Sequence, residues 1–142
     1  GDVYKRQGQI GKKLTTKVKD LATMKDNTPM VHESTSLKDT LLVITEKKLG
    51  VTIISDKKKI VGIFTDGDLR RCLNNGINID NTKIKEVMTA NFKSIESNAL
   101  AIDAAAIMES NKILSLVVNS PHKSPDGASV ITMHQLLEAG II

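Results

Sequence analysis

The chain has 142 residues, 40% of them apolar and 25% charged, a globular balance with enough length to bury a core. No apolar run approaches the roughly 18 residues of a membrane span, and the start "GDVYKRQGQIGKKL" carries basic residues with no apolar run behind them, so neither a span nor a secretory signal is expected and the cytoplasm is the expected location. The net charge of +4 raises nucleic acid as a partner, but the lysines are scattered and one Tyr and two Phe supply little to stack on bases; anionic small molecules fit the same charge.

Residues 1–17 read as a lead-in. "GDVYKRQ" reads as a junction, and "GQIGKK" lacks the full phosphate-loop pattern and a preceding strand, so it reads as linker. A first unit, residues 18–78, opens with "VKDLAT". Ser36 then starts an amphipathic helix in which Leu37, Leu41 and Ile44 recur at i, i+4, i+7, with Gly50 as its closing glycine. "VTIIS" and "KIVGIF" are β-branched runs either side of "DKKK", a hairpin whose tip is Lys57, Lys58 and Lys59. A short helix over residues 66–74 follows, in which Cys72 is expected to pack beside Leu69 and Leu73 as a small apolar residue.

The second unit, residues 79–142, repeats this plan. "IKEVMT" echoes "VKDLAT", and "AIDAAAIMESNKILSLVVN" aligns with "LKDTLLVITEKKLGVTIIS", placing Asp103 on Asp39, Met108 on Ile44 and Val117 on Ile53. The expected elements are a helix over 99–111, strands over 114–118 and 129–131, and a helix over 133–139. Between the strands, "NSPHKSPDGAS" reads as a mobile surface loop. A unit of this size exposes one apolar sheet face, so the expected fold is α+β: tandem β-α-β-β-α repeats packed sheet to sheet.

The densest chemistry is "GIFTDGDLRR", Gly62 to Arg71. Thr65 and Asp68 have the spacing of a capping box, and Thr132 and Gln135 in "TMHQ" have the same. Capping explains both copies but not the negative charge of the first. A helix start attracts phosphate, which Asp66 and Asp68 would repel; a carboxylate there is better matched to the hydroxyls of a vicinal diol. No nucleophile lies nearby and a cap does not raise a carboxylate pKa, so no catalytic pair is expected. Arg70 and Arg71 follow one turn later, facing either a phosphate or solvent. His32, His122 and His134 are too dispersed for a metal site; His134 is expected beside the second cleft.

The tandem units, each ending in an apolar pair and "T-x-x-[D/Q]-L", resemble a pair of cystathionine-β-synthase (CBS) domains, or Bateman module. "GQIGKKL", "VKDLAT", "LGVTIISD", "GIFTDGDLRR" and "MHQLLEAGII" are similar to the C-terminal half of arabinose 5-phosphate isomerases, with the CBS modules of sugar nucleotidyltransferases as the alternative parent. The resemblance implies a regulatory pair that binds a nucleotide or nucleotide-sugar, with no catalytic residue, cofactor or metal of its own. It implies CMP-Kdo or an adenine nucleotide as ligand, a sugar isomerase domain upstream as partner, a place in Kdo and lipopolysaccharide synthesis, and a homodimer or higher homo-oligomer. A purely structural oligomerisation module is the rival. It further implies that Thr65 and Asp68 hold a sugar diol and that backbone at Met30, Val31, Val51 and Thr52 forms the slot for the base; Arg71, one turn after the cap, is the candidate for the ligand's phosphate by its position. Thr132, His134 and Gln135 are the matching positions of the second unit, where Gln135 departs from the usual Asp and capping is the preferred role.

Overall fold

In the computed structural model, which describes residue 11 and residues 13–119 and 125–142, two three-stranded sheets are each backed by helices. The first sheet comprises β1 (Met30–His32), β2 (Val51–Ser55) and β3 (Ile60–Thr65), with α2 (Leu37–Lys47) joining β1 to β2 and α3 (Asp66–Asn74) leaving β3. The second comprises β4 (Ser94–Glu96), β5 (Ser115–Asn119) and β6 (Ser129–Thr132), with α4 (Ala101–Asn111) and α5 (Met133–Glu138) in the same places. A short helix, α1 (Val18–Leu21), precedes both. In each sheet the first strand pairs parallel and the third antiparallel with the middle strand. This is the expected α+β tandem.

The period of two along the middle strands explains why they read as unbroken apolar runs. All of β2 is buried. Its Val51 and Ile53 face the other sheet and pack with Val117, Val130 and Ala128, while Ile54 faces the helices and packs with Leu37, Ile44, Phe64 and Cys72. In β5, Val117 faces the opposite sheet; Leu116 and Val118 face helices, with Ala101, Ala104, Ala105 and Met108 of α4. The sheets therefore pack face to face across a shared apolar layer.

The repeats are not sequential packing units, because each is completed by a segment preceding the other. Val18, fully buried, packs in the helix-side core of the second sheet, and Ile84, equally buried, packs in that of the first. Thr23 N–H donates to Val130 O at 2.9 Å, and Thr89 exchanges both backbone bonds with Ile63 (2.8 and 2.9 Å). The two echoed segments, "VKDLAT" and "IKEVMT", are thus exchanged straps. Gly62 permits the second strap to lie flat on β3: a Cβ there would sit 2.7 Å from Met88 Sδ and 2.9 Å from Thr89 O.

Several boundaries differ from expectation for reasons visible in the bonding. Helix α4 begins at Ala101 rather than residue 99, because Ala99 O accepts from Val18 N and Leu100 bridges Lys17. Lys48, with φ 58° and its N–H on Ile44 O, caps α2 in place of Gly50; Gly50 (φ 71°) turns the chain into β2, close enough to Asp66 that a Cβ would lie 3.0 Å from its Oδ2. Strand β5 runs one residue later than expected, and α5 ends one residue earlier. Leu73 is exposed, so Cys72 packs with Leu69 but not with Leu73. Part of the lead-in read as linker is helical, residues 13–15, with the Thr15 hydroxyl donating to Gly11 O. The long loop is not all surface: Pro125–Gly127 form a 3-10 turn and Ala128 is buried between the sheets. Residues 120–124, His122 among them, and the first ten residues lie outside the described residues.

Candidate functional site

A cleft of about 480 Å³ opens at the start of α3. Its walls come from three places: Gly50, Ile63 and Thr65 to Asp68 with Arg71 from the first repeat; Thr89, Asn91, Phe92 and Lys93 from the strap and its continuation; and Asn111 to Ser115 from the second repeat. Anything filling it touches both repeats at once.

The capping box at its floor is formed as the spacing implies. Thr65 Oγ1 accepts from Asp68 N–H at 3.2 Å, and Asp68 Oδ2 accepts from Thr65 N–H at 2.9 Å and from the Thr65 hydroxyl at 3.1 Å. The remaining oxygen has partners of its own. Asp68 Oδ1 accepts from the Thr89 hydroxyl at 3.0 Å and from Arg71 Nη2. Asp68 is therefore a buried carboxyl group with four donors, one of them the Arg71 guanidinium, which is how burial of such a group becomes tolerable. The negative charge that capping left unexplained is engaged by the strap and by Arg71. Cys72, on the buried face one turn on, is held above the ordinary thiol range by burial first and by Asp68 second.

The remaining residues singled out in the sequence divide. Arg71 lines the cleft and Arg70 does not. Val51 and Thr52 are buried in β2, opposite Thr65 and Phe64, while Met30 and Val31 pair with Ile53 and Ile54; these four are not among the residues lining the cleft. The Thr52 hydroxyl is buried with no hydrogen-bond partner among the described residues. Thr89, Phe92, Lys93 and Lys112 belong to the cleft but were not singled out by sequence reasoning. The available signal was the closing Thr of "IKEVMT": the echo identified a repeat, but not that its last residue reaches the other motif.

A second cleft of about 550 Å³ occupies the pseudo-equivalent place, lined by Ala22, Thr23, Met24, Asn27, Glu46, Lys47, Leu49 and Gln135. Thr132 and Gln135 make the same reciprocal box, with Gln135 Oε1 accepting from Thr132 N–H at 2.8 Å and Thr132 Oγ1 accepting from Gln135 N–H at 3.3 Å. Here the strap threonine behaves differently. Thr23 Oγ1 accepts from Val130 N–H at 3.0 Å and shares a 2.7 Å bond with the Thr28 hydroxyl. His134 is not on this cleft; it pairs with Glu138 at 2.8 Å on the exposed face of α5. Among the described residues no group of His, Cys, Asp and Glu is arranged to hold a metal ion, and no helix is long and apolar enough to cross a membrane.

Comparison with known proteins agrees with this architecture. The family model for the CBS domain matches twice, over residues 18–75 and 84–141. Arabinose 5-phosphate isomerase KdsD of Pseudomonas aeruginosa is 43% identical over 136 residues, which is 95% of this chain and 41% of that protein. The chain thus spans about two fifths of the length of the curated relatives it matches. Among solved structures, the CBS domain pair of protein MJ0100 in complex with 5′-methylthioadenosine and S-adenosyl-L-methionine superposes with a TM-score of 0.73 at 20% identity, covering 87% of this chain and 98% of that one. CBSX2 in complex with AMP gives 0.72 at 22% identity, covering 89% and 96%. At these identities the likeness is one of fold.

Proposed function

The chain belongs to the CBS domain family, and we propose that it is a nucleotide-sensing pair whose first cleft binds the ligand. The observation that carries this reading is the buried Asp68 carboxylate at the floor of a cleft that both repeats and a strap build together, with Arg71, Lys93 and Lys112 around it. An acid suited to a sugar diol and cations suited to phosphate stand in one cavity of mononucleotide size. Adenine nucleotides are the first candidates, because the MJ0100 and CBSX2 pairs were solved with adenine-containing ligands. CMP-Kdo is the second, from the likeness to arabinose 5-phosphate isomerases.

We further propose that the parent protein carries such an isomerase domain, acts in Kdo and lipopolysaccharide synthesis, and is controlled through this pair. Control requires a ligand that binds two arrangements of the pair unequally; a cleft lined by both repeats supports this reading, because a ligand in it contacts both. Calorimetric titration of the chain with AMP, ATP and CMP-Kdo, with sulfate as an unrelated anion, is the test. Saturable heat with at least one nucleotide, absent with sulfate and abolished in Asp68→Ala, is the expected result. No heat with any nucleotide at millimolar concentration overturns the sensing reading.

A structural role in self-association is favoured by a different observation: Leu42, Leu73 and Leu137 are all more than half exposed, on α2, α3 and α5. Equilibrium sedimentation of the wild type and of Asp68→Ala separates the roles, since association is expected to survive the loss of binding.

A further inference from the structure

Resting on the nucleotide-binding reading, we propose that Arg71 is a placeholder for the ligand on Asp68 and the residue that makes the first cleft select phosphorylated over neutral ligands. The two oxygens of Asp68 have different surroundings. Oδ2 is committed to the cap, taking both the N–H and the hydroxyl of Thr65. Oδ1 takes the Thr89 hydroxyl and Arg71. A carboxylate oxygen offers about two acceptor positions, so a diol hydroxyl that seeks Oδ1 must displace one of these donors.

Arg71 is the donor able to leave. Its side chain is 70% exposed against 4% for Asp68, and it reaches back from one turn along the same helix. Thr89 is pinned to β3 by two backbone bonds with Ile63. Displacement has a cost that depends on the ligand. Among the described residues the charged ones lining the cleft are Asp66, Asp68, Arg71, Lys93 and Lys112. A guanidinium released from Asp68 therefore stays among cations, with the exposed Asp66 as the one other acid on the lining. A ligand phosphate gives Arg71 a new partner in the fork geometry that guanidinium prefers. A neutral nucleoside breaks the Arg71–Asp68 pair and replaces only the Asp68 half of it.

The second cleft has no such exchange. Gln135 stands where Asp68 does and brings no charge to neutralise, and among the described residues the charged ones on the lining are Glu46 and Lys47. Selection for phosphate is accordingly a property of the first cleft.

The test is calorimetric titration of the wild type, Arg71→Met, Arg71→Lys and Arg70→Met with AMP and with adenosine, after far-ultraviolet circular dichroism has established that each is folded. Losing one charge-assisted contact to phosphate while freeing Oδ1 moves the two ligands in opposite directions. Arg71→Met is expected to weaken AMP about tenfold and to strengthen adenosine roughly threefold. Arg71→Lys, which keeps the charge without the fork, is expected to fall between, and Arg70→Met, altered outside the cleft, to match the wild type with both ligands. If Arg71→Met shifts both ligands in the same direction, or neither, or if the wild type prefers adenosine, the placeholder is overturned while nucleotide binding stands. If the wild type binds neither ligand nor any other nucleotide, the sensing reading falls and the placeholder with it.

Discussion

The two clefts share one plan and differ in what their threonines do. In the first, Thr89 of the strap makes both backbone bonds to Ile63 and turns its hydroxyl to Asp68. In the second, Thr23 has the hydroxyl itself accept from Val130 N–H, and among the described residues the Gln135 side-chain amide bonds only to Thr132. One carboxylate thus draws strap, cap and arginine into a single polar network, and replacing it by an amide leaves a helix cap alone. A duplicated unit keeps its cap because every helix start has orphan N–H groups. It keeps the network only where a buried charge demands partners.

The largest expected effects come from cutting the straps. Ile84→Ala removes a fully buried side chain from the first core and is expected to cost about 3 kcal/mol in urea unfolding, with Val18→Ala costing about 2 kcal/mol from the second. Because the straps cross, hydrogen exchange is expected to show Val18→Ala loosening β5 and β6 and Ile84→Ala loosening β2 and β3. Loosening of β1 and β2 by Val18→Ala would mean that the repeats are sequential units after all.

The caps come next. Asp68→Ala removes the carboxylate half of a box and two further partners and is expected to cost about 2 to 3 kcal/mol, whereas Gln135→Ala removes the amide half of its box alone and is expected to cost about 1 kcal/mol. Equal losses in denaturant titrations would show that the network adds nothing to the cap.

A smaller effect of opposite sign is expected at Thr52. Its place in the first sheet is that of Leu116 in the second: both are buried mid-strand, the first opposite Phe64 and the second opposite Ile131. Since the Thr52 hydroxyl has no partner among the described residues, Thr52→Val makes the repeats more alike and is expected to raise stability by about 1 kcal/mol. A loss of stability would mean that the hydroxyl is satisfied in solution.

The smallest effect lies at the first hairpin tip. Asp56 Oδ1 accepts from the N–H groups of Lys58 and Lys59, each at 2.9 Å, beside Lys57 at φ 85°. These backbone donors, Lys59 first and Lys58 second, hold the Asp56 carboxyl below its ordinary value of 3.8. A folded-state pKa below the unfolded one stabilises the fold above pH 3.8 and ceases to do so as the pH falls through the lower value. Hairpin amide shifts followed by NMR are expected to change only below that pH, and Asp56→Ala to abolish the change. The matching connection of the second repeat runs over 120–128, of which 120–124 lie outside the described residues.

Most of the architecture was legible because it is locally encoded. The apolar runs "VTIIS" and "KIVGIF", the threonines at each strand end and the internal echo marked the antiparallel strand pair of each sheet, four of the helices and both capping boxes within a residue or two of where they lie, while the short first strand of each sheet was given no range. Periodicity and capping operate over a few residues, so a short window of sequence contains them. The site was legible only in its local half: Thr65, Asp68 and Arg71 sit within one turn of each other, and the sequence named all three.

What the sequence determined by itself, then, is a duplicated α+β unit with an acidic cap in one copy and an amide cap in the other. Only the tertiary structure decided that the straps cross, that Thr89 reaches Asp68 across 21 residues and Thr23 reaches Val130 across 107, and that Lys112 of the second repeat closes the cleft of the first. The physical reason is that a local pattern specifies which face of an element is apolar, but not which distant segment will cover it. Here the covering segment for each sheet is the one that precedes the other repeat. That crossing turns two half-sites into clefts shared by the whole chain.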